Sequence, residues 1–248
     1  MAEPVPVLEI RALNVSTNTR LLLRDVNLRI ERHQVFALIG ASGAGKSTLL
    51  RCLNRLVELD PGLRVAGDVL LDGRSIYGAR VDGDALRARV GILFQQPVVF
   101  PVSIRRNVLF GVRHARKLTR PEADALVERT LRDAALWDET RDRLHEPAIK
   151  LSVGQQQRLC LARTLALDPE VILMDEPTSS LDANSTAAIE QQILRLRDTR
   201  TIVLVTHNLG QAARIADRVA CIAVREGAGE IVACGPAAEM LAGNASEV

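Results

Sequence analysis

Short apolar runs, several of them followed by a segment of helical periodicity, dominate the hydrophobic pattern of the chain. An uninterrupted apolar run is typical of a strand buried on both faces, whereas apolar positions three and four residues apart predict a helix. The predicted strands are 7–13, 26–30, 34–39, 68–71, 90–94, 171–174, 201–206 and 218–224. The predicted helices are 46–57, 183–197 and 209–216. Alternation of strands and helices indicates a mostly parallel sheet with helices on both faces.

One long segment interrupts this alternation. Between residues 103 and 167 apolar side chains such as Leu126, Leu131 and Ala134 recur with helical period, and no strand-like alternation intervenes. We therefore predict a single domain with a helical insertion. Its predicted parts are a core of residues 1–102 and 168–248 and an inserted helical subdomain of residues 103–167.

Composition and charge narrow the class of protein. The 32 basic residues nearly balance the 30 acidic ones, and a net charge of +2 argues against a dedicated nucleic-acid binder. Aromatic residues make up only 2%, which argues against base-stacking platforms and favours an aliphatic core. No run of about 18 apolar residues is present, so no membrane-spanning segment is expected. The four cysteines fit no zinc-ligand spacing.

A glycine-rich loop follows the predicted strand at 34–39 and matches the pattern G-x-x-x-x-G-K-[ST]. Its residues are Gly40, Ala41, Ser42, Gly43, Ala44, Gly45, Lys46, Ser47 and Thr48. Glycines let backbone N–H groups turn toward phosphate oxygens, and the helix that begins here adds its positive end. We expect Lys46, one of only three lysines, to contact the β- and γ-phosphates, and Ser47 to complete the shell of a Mg²⁺ ion. The loop predicts nucleotide binding.

Two carboxylates and a histidine follow later apolar strands. Because ligands of open α/β sheets lie beyond the carboxyl ends of strands, we predict that Asp175 holds Mg²⁺ and that Glu176 activates water as a general base. An acid-rich helix N-terminus is the alternative for this pair, and the phosphate loop makes it less favoured. His207 follows the strand at 201–206. It is interpreted either as a γ-phosphate contact or as a structural or surface histidine.

Together these motifs resemble the ATP-binding cassette family. They are the phosphate loop, Gln95 after a strand, the sequence LSVGQ at 151–155, Asp175-Glu176, Ser180-Leu181-Asp182 and His207, in that order. The resemblance implies an α/β fold with a P-loop NTPase core, an antiparallel N-terminal β part and an inserted α-helical subdomain. It also implies two roles for Gln95. Gln95 would be a catalytic residue together with Glu176 and His207, and a Mg²⁺ ligand together with Ser47 and Asp175.

Members of this family work as head-to-tail dimers, and the resemblance extends this expectation to the chain. ATP would lie between the phosphate loop of one copy and Ser152, Gly154 and Gln155 of the other, with Asp182 nearby. Two transmembrane permease subunits would dock near Gln95. The pair would therefore sit peripherally on the cytoplasmic face of the cell membrane, and an extracytoplasmic phosphate-binding protein would act indirectly. No nucleic-acid partner is implied.

The cargo is suggested by a closer resemblance within the family. The blocks FQQP at 94–97, FPVSI at 100–104, ALW at 135–137 and QQQRLC at 155–160 are similar to ATPases that power phosphate import in bacteria. An importer ATPase for another small solute is the first alternative. A soluble cassette protein acting on DNA or ribosomes is a second, and a non-catalytic nucleotide-binding subunit is a third.

Two positions depart from the family pattern. The sequence LSVGQ at 151–155 is called the signature, and Val153 stands in its middle, where glycine is the norm in the family. Its side chain is expected either to crowd the approach to ATP or, as the favoured expectation, to fill apolar space in the helical subdomain. The stretch 15–18 lacks the aromatic residue on which many members stack adenine. Weaker ATP affinity, or poorer discrimination against GTP, is the expected consequence.

Overall fold

The computed structural model describes residues 5–242, so both ends of the predicted range 1–248 lie outside the described residues. Within them the structure has ten strands and ten α-helices. The strands are β1 Leu8–Ser16, β2 Leu21–Ile30, β3 Val35–Ile39, β4 Arg64–Leu71, β5 Arg74–Ser75, β6 Val90–Leu93, β7 Val171–Asp175, β8 Thr201–Val205, β9 Arg218–Arg225 and β10 Ala228–Pro236. The helices are α1 Lys46–Cys52, α2 Gly83–Arg89, α3 Ile104–Val108, α4 Val112–Ala115, α5 Arg120–Asp133, α6 Trp137–Thr140, α7 Val153–Leu165, α8 Ala183–Arg197, α9 Leu209–Ile215 and α10 Ala237–Met240.

All ten strands join one sheet in the order β5-β4-β1-β2-β10-β9-β3-β8-β7-β6. The strands from β9 to β6 in this order run parallel, whereas β1, β2, β4 and β5 pair antiparallel. The last strand, β10, pairs antiparallel with β9 and meets β2 at Gly229 and Leu23. The carboxyl ends of β3, β8 and β7 are therefore neighbours at one edge of the sheet, which is where ligands of such sheets bind.

The core is aliphatic and divided by the sheet. Every residue of β3, β7 and β8 is buried, because helices cover both faces of these strands. One apolar cluster lies with α1 and the antiparallel strands, and the other joins the opposite face of the sheet to α3, α5, α7 and α8. Between Ile104 and Leu165 the regular elements are helices and 3₁₀ turns. The division into core and subdomain stays a prediction.

Several elements differ from their predictions. The helix predicted to reach residue 57 ends at Cys52, because Arg55 adopts a left-handed backbone (φ 60°) before a 3₁₀ turn at Leu56–Leu59. The strands β2 and β4 begin at Leu21 and Arg64, ahead of the predicted starts at 26 and 68. The elements α2, β10 and α10 have no predicted counterpart. Glycines and a terminal proline depress the strand propensity of β10, yet pairing with strands on both sides stabilises it. Among residues 5–242, the helices are all too short or too polar to traverse a lipid bilayer.

Candidate functional site

The phosphate loop is pressed against the last two strands of the sheet. A Cβ atom at Gly40 (φ 148°) would lie 2.1 Å from the carbonyl oxygen of Ile222 in β9. In the same way, a Cβ at Gly229 of β10 would lie 2.1 Å from the carbonyl oxygen of Ala44. At Gly43 (φ 78°), by contrast, a Cβ would meet nothing within 4 Å. The loop is thus tightly seated on the sheet and open above, as a phosphate cradle requires.

Lys46 and Ser47 begin α1 directly beneath this opening. Lys46 is 6% exposed, and its ammonium donates to the carbonyl oxygens of Gly40 and Ala41, each at 2.8 Å. The Ser47 hydroxyl donates to Oδ1 of Asp175 at 2.9 Å. Burial raises the pKa of the Asp175 carboxyl above its ordinary value, and the hydrogen bond from Ser47 opposes this shift. A hydroxyl and a carboxylate oxygen side by side are hard donors, so these residues fit Mg²⁺.

Glu176 connects two other predicted residues. Its Oε2 accepts a hydrogen bond from Nε2 of Gln95 at 3.2 Å, and its Oε1 lies 3.1 Å from Nδ1 of His207. Its backbone has φ 44°, a left-handed conformation that is strained for a residue with a side chain. The Glu176 N–H donates to the carbonyl oxygen of Val205, which ties this strained residue to the end of β8. The structure thereby brings the three predicted catalytic side chains together.

One cavity of about 500 Å³ unites most of these groups. Phosphate-loop residues, including Thr48, line it together with Gln95 and Glu176. Arg20, Leu22 and Val224 also line it. His207 lines a smaller cavity that shares Glu176. The lining thus combines phosphate-binding groups with one arginine and two apolar side chains.

The signature residues do not line this cavity within the described chain. The Ser152 hydroxyl caps α7 by accepting a hydrogen bond from the Gln155 N–H. In return, the Ser152 N–H donates to Oε1 of Gln155. Gln155 also donates to Glu139 at 2.6 Å. A Cβ at Gly154 would lie 2.7 Å from Oγ of Ser185, so packing against α8 requires glycine there. The signature is therefore a capped helix start that lies outside the cavity lined by its own phosphate loop.

Asp182 stands at the other side of this packing contact. Its carboxylate accepts from the Ser185 N–H at 3.0 Å and from the Ser185 hydroxyl at 2.7 Å, so it caps α8. The backbone hydrogen bond from Ser185 lowers the pKa of Asp182 most, and the hydroxyl adds to the effect. The residue predicted to contact nucleotide is thus fixed as a carboxylate at a helix start.

Val153 corrects one expectation. The favoured interpretation placed its side chain in apolar space within the helical subdomain. Instead Val153 is 49% exposed at the first position of α7, so that interpretation is wrong. The physical reason is the capping geometry: Ser152 and Gln155 fix the start of the helix, and the first helical position then points away from the helix packing.

Sequence reasoning missed three side chains of this region. Arg20 lies on the cavity wall, Ser179 accepts from Gln95 at 3.3 Å, and Glu139 bonds both Gln155 and Arg158. Arg20 and Glu139 are brought in by tertiary folding from segments without a motif, whereas Ser179 lies between the predicted Glu176 and Ser180. A signal was also present for Arg20, since the turn that carries it follows the stretch that lacks the aromatic residue.

Comparison with known proteins places this geometry in a family. The family described as ABC transporter matches residues 23–179. The chain is 52% identical over 212 residues to a phosphate import ATP-binding protein PstB of Rubrobacter xylanophilus, a match that covers 85% of this chain and 74% of that protein. It is 51% identical over 213 residues to a protein of the same name from Shewanella denitrificans, covering 86% and 78%.

Solved structures agree with these sequence matches. The cbiO1 protein of Clostridium perfringens, described as part of the ABC transporter complex cbiONQ, superposes with a TM-score of 0.82 at 27% identity and covers 96% of this chain and 92% of that one. A bacterial Atm1-family ABC exporter with ATP bound gives a TM-score of 0.79 at 26% identity, covering 98% and 41%. The predicted α/β fold class is confirmed. The motifs, the fold and the relatives agree, and the chain belongs to the ABC transporter family of ATPases.

Proposed function

We propose that the chain is the ATP-hydrolysing subunit of an importer of inorganic phosphate. The observation that carries the ATPase role is the convergence of Gln95, Glu176 and His207 beside a phosphate loop whose Ser47 bonds Asp175. The cargo is supported by two relatives above 50% identity that are named phosphate import ATP-binding proteins. The FPVSI and QQQRLC blocks of the sequence support the same cargo.

Each part of the site has a distinct chemical task in this proposal. Glu176 accepts a proton from the attacking water. Its carboxylate is held in place by the hydrogen bond from Gln95 and by His207, whose Nδ1 lies 3.1 Å from Oε1. His207 also contacts the γ-phosphate. Lys46 moves its hydrogen bonds from loop carbonyls to phosphate oxygens. When bound, Mg²⁺ supplies positive charge to the triphosphate, and Ser47, Gln95 and Asp175 would hold it.

A second copy of the chain completes the site. Ser152, Gly154, Gln155 and Asp182 stand on the start of α7 and of α8, apart from the cavity that the phosphate loop lines. A head-to-tail pair would bring these residues of one copy to the nucleotide of the other. The positive end of α7 then faces the γ-phosphate.

The proposed membrane partners meet a surface beside Gln95. Phe94 and Val98 are exposed there, and the rings of Phe100 and Phe110 stack with centroids 4.2 Å apart. Two permease subunits docking on this apolar patch would hold the dimer at the cytoplasmic face of the membrane. An extracytoplasmic phosphate-binding protein would act through them, and no nucleic acid takes part.

Transport in a reconstituted system tests this function. The chain would be assembled in vesicles with two candidate permease proteins and a candidate phosphate-binding protein of the same genome, and uptake of radiolabelled phosphate would be measured with ATP. We expect phosphate uptake that requires ATP, and no uptake of amino acids. ATP-dependent uptake of another solute, with none of phosphate, would establish the first alternative instead.

Arg20 is expected to support the base of ATP. Its side chain is exposed on the cavity wall and forms no ion pair within residues 5–242. A guanidinium stacked on a ring contributes about 1 kcal/mol, so Arg20→Ala should weaken ATP binding about fivefold and leave binding of inorganic tripolyphosphate unchanged. Calorimetric titration with both ligands measures this, with Arg80→Ala as the control. An equal loss for tripolyphosphate would mean that Arg20 contacts phosphate rather than base.

Val153→Gly should raise ATP turnover severalfold with little change in stability. Because the valine is half exposed, its removal costs little burial, and the free energy of unfolding should change by less than about 1 kcal/mol. In the proposed dimer the same side chain faces the approaching nucleotide, so the smaller residue should ease closure. Turnover and melting temperature measured together give the result. A large loss of stability with unchanged turnover would contradict it.

A further inference from the structure

A second cavity, remote from the phosphate loop, lies in the helical segment. Its volume is about 810 Å³, larger than that of the cavity lined by the phosphate loop. It is framed by α3, α4, the first turn of α5 and the loop at 144–145. Its charged lining is formed by Arg105, Arg113, Arg116, Lys117, Arg120 and Asp124. Five cationic side chains thus face one carboxylate.

The carboxylates near this basic cavity are already engaged. Both guanidinium nitrogens Nε and Nη2 of Arg105 donate to Asp124, at 3.1 and 2.7 Å. Glu122, outside the lining, accepts from the N–H and hydroxyl of Thr119, each at 2.7 Å. The side-chain hydrogen bond from Thr119 lowers the pKa of Glu122 most, and the charge of Arg116 also lowers it. Asp124 is therefore paired with Arg105, whereas Glu122 is held by Thr119 and acts on Arg116 only through its charge, without an ion pair to it.

Four cations of the lining form no ion pair within residues 5–242. They are Arg113, Arg116, Lys117 and Arg120. Like charges gathered around one concavity repel one another, and the cavity walls focus their potential. The α5 helix also begins at Arg120, so its positive end adds to the same potential. The basic cavity therefore attracts anions more strongly than separate surface arginines would.

The floor of the basic cavity is apolar. Leu109 and Ala123 are buried, and Leu118 and Leu144 are half-buried. An apolar floor lowers the local dielectric constant and strengthens contacts between the rim and an anion. Arginine is also the residue that binds phosphate oxygens through two parallel hydrogen bonds.

We propose that the basic cavity binds a phosphorylated anion that carries more than one charge, with Arg113 and Arg116 as its principal ligands. A single orthophosphate would occupy only a small part of about 810 Å³ and would reach few of the cations. The phosphate groups can belong to a free polyphosphate compound or to the headgroup of an anionic lipid. This site is separate from the proposed ATPase centre, and its occupation does not depend on hydrolysis.

Binding of inorganic tripolyphosphate tests the free ligand. The full chain is saturated with adenylyl imidodiphosphate and excess Mg²⁺, so that the phosphate loop is filled, and is then titrated by calorimetry. The variant is Arg113→Gln/Arg116→Gln. The control is Arg80→Gln/Arg195→Gln, which removes the same charge from two exposed arginines outside the lining. We expect the cavity variant to bind at least tenfold more weakly than the wild type, and the control to bind within twofold.

Sedimentation with vesicles tests the lipid source. The same proteins are mixed with phosphatidylcholine vesicles that contain or lack cardiolipin, a lipid whose headgroup carries two phosphate groups. If the ligand is a lipid headgroup, the wild type and the control should sediment with the cardiolipin vesicles, the cavity variant should not, and tripolyphosphate should bind weakly to all. The proposal is overturned if the cavity variant and the control behave alike toward both probes. Circular dichroism melts of the variants verify that they are folded. Failure here leaves the proposed ATPase function untouched.

Discussion

Glu176→Gln should lower ATP turnover by at least about 100-fold and leave the affinity for ATP nearly unchanged. A positioned general base contributes about 10²- to 10⁴-fold to a rate, and a glutamine cannot accept the proton of the attacking water. The amide is nearly isosteric and can still accept a hydrogen bond from Gln95. The phosphate loop and the Ser47–Asp175 pair are untouched. Because the variant binds ATP without hydrolysing it, an ATP-bound dimer should accumulate.

This expectation is checked on one preparation by measuring the ATP turnover, the affinity for ATP and the elution volume in size-exclusion chromatography with ATP present. The matched control is Glu170→Gln, which changes a carboxylate just before β7 that is bonded to Arg89 at 2.7 Å and lies far from the loop. The control should retain turnover and remain a monomer in ATP. If Glu176→Gln turns over ATP at a near-normal rate, another group is the base.

Lys46→Ala should weaken ATP binding by about 10- to 100-fold. A hydrogen bond to a charged group contributes about 1.5–3 kcal/mol, which corresponds to this loss of affinity. Lys46 is the only lysine of the phosphate loop, so no other ammonium group there can replace it. The variant also leaves the carbonyl oxygens of Gly40 and Ala41 without their donor, so some stability should be lost as well.

Calorimetric titration with ATP measures the loss, and thermal melts separate binding from folding. Lys150→Ala is the matched control, because Lys150 is an exposed lysine at the end of a 3₁₀ turn. It should bind ATP as the wild type does. Equal ATP affinity in Lys46→Ala and Lys150→Ala would contradict the assignment of the phosphate loop.

The parts of the fold that sequence predicted well have unambiguous local signals. The strands β3, β7 and β8 are nearly continuous apolar runs. A glycine follows β3, a carboxylate pair marks the end of β7, and a threonine before His207 follows β8. The observed bounds of each strand agree with the predicted bounds within one residue. The helix predicted at 183–197 is observed with those bounds, because Asp182 provides a strong cap. The phosphate-loop residues and Glu176 can be proposed as site residues for a similar reason, because fixed spacing marks them in the sequence.

The remainder depends on tertiary contacts that leave no local pattern. The strand β10 looks like a poor strand and is stabilised by its neighbours. Arg20 and Glu139 acquire their neighbours from distant segments. The exposure of Val153 could not be read from its apolar character, because hydrophobic residues at helix starts can face either way.

The seating of the phosphate loop on β9 and β10 also orders events during protein synthesis. The loop leaves the ribosome early, but Ile222 and Gly229, whose strands hold Gly40 and Ala44 in place, are made only after most of the chain. A nascent chain therefore carries the loop sequence without its support, and contacts so distant in sequence form slowly. The phosphate cradle therefore joins a segment that is made early to two strands that are made late.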